Sequence, residues 1–253
     1  MPLDDAGRAV QLDDAGRLAR RLPDELASAS MALARRFSTN ATLWCWAPRW
    51  PQHAEHVAVE FVHPVIVGKR AFSAVAVSDA DPVAALRALI EAGDVLAVVG
   101  TDSTPEIGDV LRRIPAWGAE SIWIGSGRRP ASGMADHLLW FDDLDDEAAF
   151  NGAFVLAYHV LWELTHVCFE HPGLLKRPPG GGSEECTDAH CITCADEGRV
   201  AEVVELAGPL SVVVRSAGGT EDVDVSLVDP VAPGDLVLVH AGVALSRLDT
   251  EQP

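Results

Sequence analysis

The sequence predicts an α/β protein: a doubly wound parallel sheet with N-terminal helices, followed by a small C-terminal β-barrel. Three observations predict it. Strand and helix signals alternate between residues 41 and 166, as βαβ units do. The stretch Lys176-Arg177-Pro178-Pro179-Gly180-Gly181-Gly182-Ser183 then reads as a linker by composition. After it come only short β runs with turn signals between them, and about 65 residues of such strands suit a small barrel. The expected division is 1–176, a linker at 177–188, and 189–253.

The elements follow in order. Residues 4–38 are rich in Ala, Leu and Arg and read as helical, with Pro23 opening a second helix and Asp24 and Glu25 in its first turn. The repeat of Asp4-Asp5-Ala6-Gly7-Arg8 as Asp13-Asp14-Ala15-Gly16-Arg17 is too short for a solenoid. Ala41–Trp46 reads as a strand, Gln52–Val62 as a helix and Ser73–Val77 as a short apolar run. Pro82–Ala92 is a helix opened by Asp81-Pro82, and Asp94–Gly100 is a buried strand. Pro105–Ile114 reads as a helix, Ser121–Ile124 and His137–Phe141 as strands, and Asp145–His166 as a long helix. The later β runs are Arg199–Leu206, Leu210–Ser216, Asp222–Val228 and Asp235–His240, separated by Gly208-Pro209, Gly218-Gly219 and Pro233-Gly234.

Composition narrows the function. Among 253 residues, 38 are acidic and 19 basic, a formal net charge of −19. Such a chain does not bind nucleic acid or an anionic membrane through bulk electrostatics. The N-terminus lacks an apolar signal core, and no apolar run reaches the ~20 residues of a membrane helix. A soluble, cytoplasmic protein is expected. Three of its five cysteines, Cys186, Cys191 and Cys194, fall within nine positions. In that compartment the cluster favours metal or redox chemistry over a structural disulfide.

The C-terminal part carries Cys191-Ile192, Gly198-Arg199-Val200, Val223-Asp224-Val225-Ser226-Leu227-Val228 and the block Pro233-Gly234-Asp235-Leu236-Val237-Leu238-Val239-His240-Ala241-Gly242-Val243-Ala244. On these residues, 190–248 resembles the HypC/HupF family of [NiFe]-hydrogenase maturation chaperones. The resemblance implies an OB-like barrel that carries an iron centre with cyanide and carbonyl ligands. It also implies work with a HypD-type scaffold and the hydrogenase large subunit. The family's essential cysteine corresponds to Cys191 and its histidine to His240. A thiolate suits low-spin iron and ligand exchange, and an imidazole can ligate or orient the site. In the family the cysteine follows the initiator methionine, whereas Cys191 is internal. Cys186, His190 and Cys194 surround it at metal-ligand spacing. His190 or Cys194 is expected to supplement Cys191. The rival reading is a Cys191/Cys194 dithiol cycling with a disulfide.

Upstream, Ala54-Glu55-His56-Val57-Ala58-Val59-Glu60-Phe61 puts His56 and Glu60 on one helical face, where both reach one ion. A late helix carries Asn151 and, eight positions on, His159. With these residues, 37–166 resembles the sugar isomerase (SIS) domain, closest to its phosphoheptose isomerase branch. The resemblance implies a metal or acid/base set of His56, Glu60 and His159, with Asn151 in place of the branch's Gln. Zinc is the expected ion and a homo-oligomer the expected assembly. The glycine-rich phosphate loop is absent: Trp46-Ala47-Pro48-Arg49-Trp50 stands in register with it. Trp and Pro obstruct the close backbone approach that glycine allows. The second phosphate stretch becomes Gly100-Thr101-Asp102-Ser103, where Asp102 repels a dianion. Arg49, Ser103 and Thr104 remain as ligand contacts. Cys45 reads as an inert core thiol, the tryptophans 44, 46 and 50 as core or interface, and His63, His166 and His171 as helix-end or loop residues.

The leading expectation is a hydrogenase maturation accessory protein, a chaperone rather than an enzyme. In it an SIS-like unit supplies oligomerisation or a ligand or metal site. One alternative is a metal-dependent phosphosugar isomerase with a fused regulatory barrel, in which Glu60 and His159 are catalytic. Another is a thiol redox or metal-sensing protein. The plainer alternative for the first unit is an inherited fold kept for dimerisation.

Overall fold

A computed structural model describes residues 5–142, 144, 152–175, 198–228 and 230–248, with side chains from Leu22 onward. Asn151, Cys186, His190, Cys191, Cys194 and the expected linker at 177–188 lie outside the described residues.

The first unit is a five-stranded sheet between two helical layers. Its elements are α1 (Asp5–Ser38), β1 (Leu43–Trp46), α2 (Pro51–Val62), β2 (Ala74–Val77), α3 (Pro82–Leu89), β3 (Val95–Val99), α4 (Pro105–Leu111), α5 (Ile114–Trp117), β4 (Glu120–Ser126), β5 (His137–Phe141) and α6 (Phe154–Glu170). The strand order is β2-β1-β3-β4-β5, and every pairing is parallel. The sequence favours this arrangement locally. β3 is Val-Leu-Ala-Val-Val and is buried at every position, as a strand covered on both faces must be. Proline stands in the first turn of α2, α3, α4 and α5, where its missing N–H costs nothing. Asp81 caps α3 by accepting from the Ala84 N–H at 3.0 Å. Asp94 ties the N-terminal ends of the strands together, accepting from the Thr42 N–H, the Glu91 N–H and the Trp44 indole.

One expectation is corrected. Pro23 does not begin a new helix but lies inside α1. A proline there removes one helical bond, yet Leu26, Ala29, Leu33 and Phe37 bury against the α2 and α6 layer and hold the helix on course. Phe37 stacks on Phe72 with ring centroids 4.4 Å apart.

Two cores result, one on each face of the sheet. Leu33, Phe61, Tyr158 and Leu161 belong to the α1/α2/α6 side. Leu86, Ile107, Ile114 and Trp117 belong to the α3/α4/α5 side.

The second unit is a closed five-stranded barrel: β6 (Arg199–Leu206), β7 (Ser211–Ser216), β8 (Gly219–Asp224), β9 (Leu236–His240) and β10 (Val243–Arg247). It is consistent with the OB-like form expected. β8 starts and stops earlier than the sequence suggested, because Ser216 pairs with Gly219 and the turn shrinks to Ala217-Gly218. Gly219 takes φ +110°, a value only glycine adopts freely. β10 was not anticipated as a strand. It closes the barrel through one parallel register pair with β8, Val243 against Asp224, and through the Asp224 N–H donating to the Gly242 carbonyl.

The barrel is docked on the α3/α5 face. Leu236 of β9 joins the core of that face. Glu202 of β6 is fully buried there. Arg87 donates to both its oxygens, at 2.9 and 2.5 Å, and the Trp117 indole donates at 2.8 Å. Arg113 adds an ion pair at 3.2 Å and donates to the Gly234 carbonyl. In return, Arg215 of β7 donates to the Arg87 and Ile90 carbonyls, capping the end of α3.

Candidate metal site

The α2 and α6 helices pack side by side on one face of the sheet, and their facing turns assemble a cluster of candidate ligands among the described residues. The four-residue spacing of His56 and Glu60 puts both on one side of α2. His56 Nε2 lies 3.3 Å from Glu60 Oε1, and His159 Nε2 of α6 lies 3.5 Å from the same oxygen. One ligand atom from each residue falls within 4.8 Å of the others. Both imidazoles are 40 % exposed, so the cluster opens to solvent.

The donor set fits a small divalent cation. Zinc bonds of about 2.1 Å in a tetrahedron space neighbouring donors by about 3.4 Å, close to the separations found here. Two imidazoles and one carboxylate also match the ligand types of catalytic zinc sites, which keep a fourth position open. The outer ring nitrogens are engaged. His159 Nδ1 bonds the Val155 carbonyl at 2.7 Å, and His56 Nδ1 bonds the Tyr158 hydroxyl at 2.8 Å. Tyr158 also lies 3.4 Å from His53 Nδ1. Burial and the nearby Glu60 charge push the Tyr158 phenol up to about 12. Neither Tyr158 nor His53 stood out in the sequence. Both occupy apolar faces of their helices, and 105 positions separate them.

The expected ligand contacts are less convergent. Arg49 Nη1 reaches Ser103 Oγ at 3.5 Å, and Ser103 bonds Thr101 at 2.8 Å. Thr104 Oγ1 is buried with no hydrogen-bond partner. Asp102 turns toward the next loop, where it accepts from the Arg128 N–H and abuts Gly127. At the C-terminal ends of β1 and β2 a cleft of about 210 Å³ remains, lined by Trp46, Pro48, Ser78, Asp79 and Glu106. It carries two carboxylates and no arginine, which suits a phosphate dianion poorly.

Other sequence candidates fall as follows. Cys45 and Cys168 are buried free thiols, and burial raises the pKa of each. Trp46 is core, Trp44 is tied to Asp94, and Trp50 packs on Phe154. His63 and His171 end helices α2 and α6. His166 is instead buried within α6, bonded to the Trp162 and Arg70 carbonyls. His240 ends β9, one residue before a turn in which Ala241 takes φ +48° and Gly242 φ +79°. Arg199, the first residue of β6, is in register with Val239. The chain therefore enters the barrel beside His240. No helix among the described residues is long and apolar enough to cross a membrane.

A search of curated proteins by sequence finds no match. Among solved structures, a phosphoheptose isomerase from Francisella tularensis aligns at 16 % identity and a TM-score of 0.52, covering 65 % of this chain and 100 % of that one. The phosphoheptose isomerase GmhA from Neisseria gonorrhoeae aligns at 15 % identity and a TM-score of 0.47, covering 64 % and 98 %. The former likeness establishes a shared fold. Residues 198–253 match the model of the HupF/HypC family. The chain thus joins a unit that shares its fold with a phosphoheptose isomerase to a C-terminal stretch that matches the HupF/HypC family model.

Proposed function

We propose that this protein is a [NiFe]-hydrogenase maturation accessory protein, a chaperone whose barrel handles the iron centre during assembly. The observation that carries the reading is the HupF/HypC match over 198–253, which contains the whole Pro233–Ala244 block. In this reading the cargo is iron with cyanide and carbonyl ligands. Cys191 is its thiolate ligand, and His240 ligates or orients it. The entry of β6 beside Val239 supports the pairing. Cys191 lies eight positions before Arg199, a reach of up to about 26 Å. Cys186, His190 and Cys194 are the supplementary donors. Because Cys191 is internal, these neighbours replace the ligand that a free chain end supplies in the family. The partners are a HypD-type scaffold and the hydrogenase large subunit, in the cytoplasm.

The first unit, in the same reading, is no phosphosugar isomerase. Its phosphate loop is replaced by Trp46–Trp50, and its strand-end cleft is acidic. It keeps a zinc site made by His56, Glu60 and His159, with Asn151 as a further donor. Zinc there would act as a Lewis acid toward an oxygen ligand. Arg49, Ser103 and Thr104 then serve a changed ligand. Exposed Val59 and Leu156 lie on the same two helices, an apolar rim suited to self-association.

The test is anaerobic capture of a HypD-type scaffold by wild type and by Cys191→Ala, with hydrogenase activity measured in cells carrying each. Loss of both in the variant is expected. Unchanged capture and unchanged activity would remove the thiolate-carrier role.

A further inference from the structure

Resting on the metal-site reading above, we infer that Tyr158 is a positioning residue that sets the ligating tautomer of His56 through a hydrogen-bond relay ending at His53.

His159 shows the principle in its simplest form. Its Nδ1 faces the Val155 carbonyl at 2.7 Å, and a carbonyl only accepts. The ring proton therefore sits on Nδ1, and the Nε2 lone pair faces Glu60 and the open position. His56 has no carbonyl at Nδ1. It has the Tyr158 hydroxyl at 2.8 Å, which can donate or accept. If the hydroxyl donated to His56 Nδ1, the ring proton would sit on Nε2 and block ligation. The second partner of the hydroxyl, His53, sets the direction through its own tautomer: with the ring proton on Nε2, its Nδ1 accepts. His53 Nδ1 lies 3.4 Å from Tyr158 Oη, on a ring that is 4 % exposed. With His53 accepting, the Tyr158 proton points at His53, and its oxygen is left to accept from His56 Nδ1–H. The relay runs His56 Nδ1–H to Tyr158 Oη–H to His53 Nδ1, and both His56 and His159 then present Nε2 lone pairs to one point.

The rings are held for this purpose. Tyr158 is 1 % exposed and meets the edges of His53 and His56 at interplanar angles of 71° and 70°. His53, His56 and Tyr158 thus form one edge-to-face array between α2 and α6. Outer partners of ligating histidines typically change metal affinity about 10–100-fold when removed.

The experiment measures Zn²⁺ affinity by competition with a chromophoric chelator, and the d–d spectrum of the Co²⁺-loaded protein, for the full chain. Tyr158→Phe keeps the ring and its packing and removes only the hydroxyl. A loss of about 10–100-fold in Zn²⁺ affinity and an altered Co²⁺ spectrum are expected. His53→Leu removes the terminal acceptor and is expected to weaken binding by a smaller factor. In the Zn²⁺-loaded wild type, ¹⁵N shifts should show His56 protonated at Nδ1. Tyr158→Phe binding within twofold of wild type, or tighter, overturns the relay while leaving the metal site intact. Failure of the wild type to bind either metal overturns the metal-site reading and the relay with it. Metal-free thermal unfolding of each variant separates a lost ligand orientation from a lost fold.

Discussion

Glu60 and Glu202 are both acids ringed by basic side chains, on opposite faces of the same sheet. Their surroundings differ in one respect that decides what each does. Glu202 is fully buried, and its two oxygens are saturated by Arg87, Arg113 and the Trp117 indole. Glu60 faces two half-exposed imidazoles across gaps of 3.3 and 3.5 Å and keeps an opening to solvent. A saturated, dry cluster holds structure together, because no ligand can improve on it. An open cluster with fixed donors leaves room for a ligand, as the proposed zinc site requires.

The largest expected effect breaks the first half of this contrast. Glu202→Ala leaves two arginines without their partner at a buried junction and is expected to cost about 3–5 kcal/mol. Urea unfolding monitored by tryptophan fluorescence reads it, since Trp117 sits in the junction. A loss below about 1 kcal/mol would mean that Leu236 and its apolar neighbours hold the barrel unaided. Next, Glu60→Ala should remove Zn²⁺ binding by at least about 100-fold, roughly 2.7 kcal/mol, with metal-free stability changed by less than about 1 kcal/mol. Isothermal titration and thermal unfolding check the two halves. A large stability loss without metal would make Glu60 a second structural acid.

Glu120 supplies the intermediate case. The His137 hydrogen bond, then that from Arg36, holds its carboxyl down at about 2. A depressed carboxylate contributes stability that is full above the unfolded value near 4.5 and is lost as pH falls toward 2. The contribution should be on the order of 2–3 kcal/mol. Glu120→Gln should flatten the stability profile across that window, and an unchanged acid limb would assign the slope to other carboxylates. The smallest effect sharpens the contrast from outside: Val59→Ser and Leu156→Ser, both on exposed helix positions, should change monomer stability by less than about 0.5 kcal/mol. Light scattering on the same variants reads the proposed self-association, which should weaken.

Much of the fold was legible because its signals are local. A wholly apolar five-residue strand, prolines at helix starts and a glycine-proline break each act within a few residues. His56 and Glu60 were legible through their four-residue spacing on one helix, and His159 through the resemblance to the sugar isomerase domain. Glu202 was not. It lies on a strand written Arg-Val-Ala-Glu-Val-Val-Glu-Leu, where an acid between the apolar Ala201 and Val203 reads as solvent-facing. Only the docking of α3 and α5, which begin more than 85 positions earlier, buries it. Tyr158 and His53 were hidden for the same reason: their roles are set by which helix lies opposite. Pro23 misled in the other direction, since a local breaker yields to a long packed helix.

The closure of the barrel has a kinetic side. β6, β7 and β9 share long antiparallel ladders, whereas β8 and β10 meet at a single register pair. Amides along that seam should exchange with solvent well before those of β6 and β7. The His240 turn adjoins the seam, so the end of the barrel that carries the histidine is also where its backbone separates first.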